Sequence, residues 1–257
     1  MAAYPAAPFA VRLDGHAALV TGAGAGVGEA IARALAAAGA AVVVNDLNPD
    51  RADNVTDAIT ADGGRAIAWQ ADVSNRFQVG SMIEAGRDAF GSLTILVNAA
   101  GVYKTGELSK LDEWEWARIV DVNMTGAFYC TQLLSRVMKD EGGGVIINLA
   151  SNLGTAHTLN ESIGGIGYAA TKAGLLGLTR QSARELAPYN IRVNAVCPAQ
   201  IEGDDRSSDS AERLPAAPSW GGGEVAAAVL FLASDAARFI TGQVINVDGG
   251  DSLIQRK

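Results

Sequence analysis

Residues His16 to Gly28 read HAALVTGAGAGVG. A short apolar run meets a glycine turn, Thr21-Gly22-Ala23-Gly24-Ala25-Gly26-Val27-Gly28, and the turn opens into an alanine-rich segment. Strand, turn and helix start stand in the order that a dinucleotide site needs. Glycines let the backbone approach a pyrophosphate, and a helix N-terminus offers unpaired N–H groups and a positive dipole end. Taken alone, such a stretch also fits a plain tight turn. The context narrows it: the next apolar run, Ala41 to Asn45, ends at Asp46, 18 residues beyond Gly28. A carboxylate there can accept both hydroxyls of an adenosine ribose. Gly22, Gly26, Val27 and Gly28 are therefore the expected diphosphate contacts, and Asp46 the ribose contact.

The same alternation continues outward. Apolar runs at Ala66–Ala71, Thr94–Asn98, Val145–Ala150, Ile191–Cys197 and Gln243–Val247 are separated by helix-length segments at Arg51–Ala61, Arg76–Phe90, Asp112–Lys139, Gly167–Leu186 and Gly223–Ser234. Near-continuous apolar strands joined by helices predict a parallel sheet buried on both faces. Right-handed crossovers then give a doubly wound α/β sheet, the Rossmann fold. No linker divides residues 1–257, so one domain is expected. Residues 202–222 are polar, carry Pro215 and Pro218, and have no period. They read as an excursion from the sheet, a lid over substrate.

Composition removes several function classes. With 20 Lys and Arg against 28 Asp and Glu, the formal charge is −8, and no basic patch points to nucleic acid. Two cysteines, Cys130 and Cys197, make no disulfide framework. Two histidines, His16 and His157, leave no zinc-ligand set, so no metal is expected. Residues 1–15 lack the basic and apolar regions of a secretory leader, and no apolar run spans a membrane. A soluble cytoplasmic protein is the expectation.

Further motifs follow in order: Asp72-Val73, Asn98-Ala99-Ala100-Gly101, Asn123, Ser151, Tyr168-Ala-Ala-Thr-Lys172 and Asp248-Gly249-Gly250. Together with Gly22-x-x-x-Gly26-x-Gly28 this ordered set resembles the short-chain dehydrogenase/reductase family in its classical form. The resemblance covers nearly the whole chain. It implies an adenine contact at Asp72 and Val73, and a cofactor-lining segment at Asn98, Ala99 and Gly101. It implies a catalytic group of Asn123, Ser151, Tyr168 and Lys172. In that group Lys172 also holds the nicotinamide ribose and Asn123 anchors a water of the proton relay. It further implies a backbone contact at Ile201. Two departures stand out. The Ser151–Tyr168 gap is longer than the family pattern, and Pro198-Ala199-Gln200-Ile201-Glu202-Gly203 lacks the family's threonine.

The residues carry a chemical reading of their own. Tyr168 and Lys172 are four apart on a predicted helix and so share a face. A free tyrosine has a pKa of about 10, too high for efficient proton exchange at neutral pH. A neighbouring ammonium favours the phenolate. Ser151 can hydrogen-bond a substrate oxygen while Tyr168 moves the proton. A lone Tyr/Lys pair at this spacing reads as a stabilising surface pair; Ser151, Asn123 and the glycine loop turn the reading to catalysis.

The expected function is an NAD(H)-dependent oxidoreductase interconverting a secondary alcohol and a ketone. The nearest groups by resemblance are 3-oxoacyl-thioester reductases and polyol or sugar dehydrogenases. The alternative is a non-catalytic nucleotide-sensing regulator on the same scaffold. Asp46 points to NAD rather than NADP, because a 2′-phosphate would face the carboxylate and Ala25, Asn45 and Leu47 offer no cation. Arg51 is the nearest base in sequence. The resemblance implies a homotetramer built on paired long helices, and the sequence is compatible with it: Leu133, Leu134, Leu175, Leu176 and Leu178 read as a second apolar face there. Trp114 and Trp116 read as core or interface, His157 as a loop surface residue, and Cys197 as buried packing.

Overall fold

Alternate residues of each central strand feed two separate helix layers, and that alternation organises the molecule. The computed structural model describes residues 11–104, 107–155, 165–199 and 221–253. The strands are β1 (Ala17–Thr21), β2 (Ala41–Asp46), β3 (Arg65–Gln70), β4 (Ile95–Asn98), β5 (Gly144–Leu149), β6 (Ile191–Pro198) and β7 (Val244–Val247). The helices are α1 (Gly26–Ala37), α2 (Pro49–Ala61), α3 (Arg76–Phe90), α4 (Glu113–Val120), α5 (Ala127–Asp140), α6 (Ile166–Leu186) and α7 (Gly222–Ala233). All seven strands are parallel, in the order β3-β2-β1-β4-β5-β6-β7. This is the doubly wound sheet that the alternation predicts.

On one face Ala18, Val20, Val42, Val44 and Ile147 pack with Ile31 and Leu35 of α1 and with Val225 and Val229 of α7. On the other, Leu19, Val43, Leu96 and Ile146 meet Met82 and Ile83 of α3 and Leu134 and Met138 of α5. Side chains of a strand alternate between faces, so a run apolar at every position needs cover on both. Asn48 caps α2, accepting from the Arg51 N–H, with Pro49 at the first helical position. Asn75 and Asp112 cap α3 and α4 in the same way.

The predicted single helix over 112–139 is interrupted. Between α4 and α5 the chain makes a π-helical turn at Asp121–Gly126, with Asn123 inside it. Such turns concentrate at functional sites. Two residues explain the local fit. The Asn123 side chain is drawn out to Val102 and Thr171. Gly126 lets Val73 approach, for a Cβ there would stand 2.6 Å from Val73 Cγ2.

The apolar helix faces also differ from expectation. Leu134, Leu175 and Leu176 are buried within the chain itself, and Leu133 and Leu178 pack partly against its core. Leu133 and Leu178 are the members of this set that keep some exposed surface. Trp114 and Trp116 are not core residues; they are 74% and 44% exposed. Met124 of the π turn and Phe128 of α5 are exposed too. Among the described residues no helix is long and apolar enough to cross a membrane.

Candidate active site

The strand order reverses between β1 and β4, where β2 and β3 lie to one side and β5 to β7 to the other. In open α/β sheets the crevice beyond the strand C-termini at this point receives ligands. The candidate residues converge on it from both sides.

On the β1 side the glycines divide into roles. Gly22 has φ +63°, and a Cβ there would stand 2.6 Å from Ala100 Cα. A Cβ on Gly28 would collide with the Gly22 carbonyl oxygen, so α1 seats directly on the turn. Gly26 differs: it has φ +60° but open space around an added Cβ. Ala25 precedes α1 and supplies no side-chain cap. The first-turn N–H groups, Val27 included, are thus left for an outside acceptor. Open space and a first turn without a side-chain cap fit an anionic diphosphate. Thr21 ties the turn to β4: its buried Oγ1 accepts from the Ala99 and Ala100 N–H groups, at 3.1 Å each.

Asp46 ends β2 with its carboxylate already oriented. Oδ2 accepts from the Gly24 N–H at 3.0 Å and Oδ1 from the Asn48 N–H at 2.9 Å. Arg51 Cβ and Asp46 Oδ2 both lie where a Gly24 Cβ would go, at 2.6 and 2.7 Å. The nearest base in sequence is therefore near in space at its root, and its guanidinium makes no ion pair among the described residues. Asp72 follows β3. Its Oδ1 accepts from the Ser74 N–H and hydroxyl, and its Oδ2 from Arg118 at 3.1 Å. Burial raises its pKa, but the hydrogen bonds from Ser74 and Arg118 outweigh this and hold it below the usual carboxylate value. Val73 is buried beside it.

Asn98 ends β4 at this edge. Its side chain turns into the core, donating to Asn148 Oδ1 at 2.8 Å and Thr131 Oγ1 at 3.1 Å. Asn148 is its register partner on β5 and donates on to Thr179 of α6. The side chain of Asn98 thus faces away from the crevice, because alternate strand positions take opposite faces; only its backbone remains for a ligand. Ala99 and Gly101 stay at the crevice edge.

Beyond β4 and β5 lies the polar centre. Lys172 of α6 is buried, and its ammonium donates to the Leu149 carbonyl at 2.6 Å. It also stands 5.4 Å from the Tyr168 ring centroid. A Cβ on Gly101 would lie 3.6 Å from Lys172 Nζ and 3.5 Å from Asn123 Oδ1, which places the Gly101 backbone at the edge of this corner. Asn123 pairs with Val102 through both amide atoms, at 2.7 and 3.0 Å, and donates to Thr171 at 3.2 Å. Ser151 follows β5 and is buried; its Oγ accepts from the Leu153 N–H at 3.3 Å. Tyr103 packs edge-on against Tyr168, centroids 5.0 Å apart. Cys197 lies beneath the site, where burial pushes its thiol up to about 11, an unreactive value at neutral pH.

Tyr103, Thr171, Thr21 and Arg118 are contacts that the motif spacing does not name. Thr171, between Tyr168 and Lys172, and Thr21, at the head of the glycine turn, had a sequence signal; Tyr103 and Arg118 had none. Ile201, His157 and all of 202–222 except its last two residues lie outside the described residues. So does most of the Ser151–Tyr168 connection. Among the described residues no group of three or more His, Cys, Asp or Glu gathers as for a metal ion.

Residues 22–252 match a family model described as enoyl-(acyl carrier protein) reductase. A 3-oxoacyl-[acyl-carrier-protein] reductase of Synechocystis is 41% identical over 244 residues, covering 93% of this chain and 97% of the relative. A solved structure described as a short-chain alcohol dehydrogenase from Sinorhizobium meliloti superposes with a TM-score of 0.89 at 36% identity, covering 96% of this chain and 100% of that one. The chain belongs to the short-chain dehydrogenase/reductase family. It is an oxidoreductase by that membership. A 7α-hydroxysteroid dehydrogenase, solved with NADH and 7-oxo glycochenodeoxycholic acid, superposes on this short-chain dehydrogenase/reductase with a TM-score of 0.87 at 34% identity, over 94% and 96% of the two chains.

Proposed function

We propose that the protein interconverts a secondary alcohol and a ketone with NAD(H), the nicotinamide supplying or taking the hydride. The observation that carries this is the convergence of Lys172, Asn123 and Gly101 at one corner, with the Tyr168 ring over the ammonium and Ser151 just beyond β5. Tyr168 moves the hydroxyl proton. Ser151 donates to the substrate oxygen and holds it against Tyr168. Lys172 keeps its positive charge beside the phenol and reaches the nicotinamide ribose. Asn123 sets the backbone at the π turn, where a relay water sits. Gly22, Gly26, Val27 and Gly28 hold the diphosphate, Asp72 and Val73 the adenine, and Asp46 the adenosine ribose. Asn98, Ala99, Gly101 and Ile201 contribute backbone.

The substrates we favour are 3-oxoacyl thioesters or polyols. The pre-oriented Asp46 carboxylate favours NAD, while the Arg51 guanidinium, which makes no ion pair among the described residues, is the feature that a 2′-phosphate would use. The proposed assembly is a homotetramer, supported by the exposed Trp114, Trp116 and Phe128. The test is turnover of a panel of secondary alcohols, polyols and 3-oxo thioesters with each cofactor. Turnover that is faster with NAD(H) is expected. Saturable NADH binding with no turnover of any member would overturn the enzyme reading in favour of a nucleotide-sensing regulator.

A further inference from the structure

A contact between two distant segments lies beside Ser151. The next residue, Asn152, is 4% exposed, and its Nδ2 donates to Asp251 Oδ2 at 2.9 Å across 99 positions of sequence. Asp251 belongs to a hydrogen-bonded turn. It follows β7 by a tight turn in which the buried Asp248 accepts from the Gly250 and Ser252 N–H groups, at 3.0 and 3.1 Å. The Asp251 N–H donates to the Asp248 carbonyl. Asn152 opens a single helical turn, Asn152–Gly154, whose Leu153 N–H holds the Ser151 Oγ.

A carboxylate only accepts hydrogen bonds, so the amide must turn its Nδ2 to Asp251. The carbonyl end then faces Ser151, and Asn152 Oδ1 stands 3.5 Å from Ser151 Oγ. That distance is too long to hold the hydroxyl proton firmly. The Leu153 N–H occupies one oxygen lone pair, and the proton is held toward the Asn152 carbonyl only by a long bond that a substrate oxygen can replace. An amide turned the other way would aim a donor at the hydroxyl oxygen instead.

We infer that Asp251, acting through Asn152, is a positioning residue for Ser151. The inference rests on the proposed role of Ser151 and extends it to the C-terminal segment. The test is a double-mutant cycle with the fastest panel member, a 3-oxobutanoyl thioester on the reading above, together with NADH binding followed by fluorescence. Asp251→Ala and Asn152→Ala should each lower kcat about tenfold, with NADH affinity and cofactor KM unchanged. Asp251→Asn, which keeps an acceptor, should restore most of kcat. In a Ser151→Ala background Asp251→Ala should add no further loss. An equal loss in both backgrounds would overturn the inference alone, since that is how a merely structural contact behaves. A Ser151→Ala enzyme with undiminished kcat would overturn the reading of Ser151 and the inference with it.

Discussion

Between β1 and β3 the chain approaches itself through missing side chains. Gly22 admits Ala100, Gly28 admits the Gly22 carbonyl, and Gly24 admits Asp46 and Arg51. Between β4 and β6 it does so through buried polar ones. Asn98, Asn148 and Thr179 run in a hydrogen-bonded line through the core, and Asn123 and Lys172 are buried at its upper end. The first region presents backbone N–H groups, which suit an invariant anion. The second presents functional groups held at fixed positions, which suit bond making. A buried polar line is stable only while each member keeps its partner. The two regions should therefore fail differently, one to added atoms and the other to removed ones.

The largest expected effect falls in the second region and sharpens the contrast. Tyr168→Phe should lower turnover by about 10²–10⁴-fold. NADH binding should stay within about threefold, because the dinucleotide is held elsewhere. A variant with more than a tenth of wild-type turnover removes Tyr168 from the chemistry. Next comes Gly22→Ala, which forces a left-handed residue against backbone. It should cost about 2–4 kcal/mol in denaturant unfolding and weaken NADH binding with it. An unchanged midpoint would mean that the turn relaxes freely. Asn148→Ala follows. It removes partners of Asn98 and Thr179 together and should cost about 1–3 kcal/mol, with cofactor affinity intact. A neutral result there breaks the comparison, for the polar line would then hold nothing. The smallest effect is selectivity: Asp46→Ala should shift kcat/KM about tenfold toward NADP, read as the ratio of the two cofactors. A wild type that prefers NADP would hand the ribose site to Arg51.

The parts legible in the sequence are those encoded locally. Apolar runs closed by glycines place the strands, Asp46 ends one of them, and the spacing of Tyr168 and Lys172 sets both toward one site. Orientation and long-range pairing are not encoded that way. Nothing in Asn98-Ala-Ala-Gly101 tells that the asparagine side chain faces Asn148 rather than the crevice. Nothing near Asn152 announces Asp251. Leu134, Leu175 and Leu176 look like surplus apolar surface until the core that buries them is counted.

A π turn is an added residue in a helix that keeps going, so it is also a slip of phase. Each residue advances an α-helix by about 100°, and one extra residue rotates all that follows by that angle. A single helical wheel drawn over 112–139 therefore superimposes two faces that point in different directions. Trp114 and Trp116 belong to the wheel before the slip, and Leu134 and Met138 to the wheel after it. Deleting one residue between 121 and 126 would bring the wheels back into step. It would also turn Asn123 away from Val102, or else turn the buried face of α5 away from the sheet. The two halves of this long helix are tuned to separate partners, and the turn that carries Asn123 is what keeps them out of step.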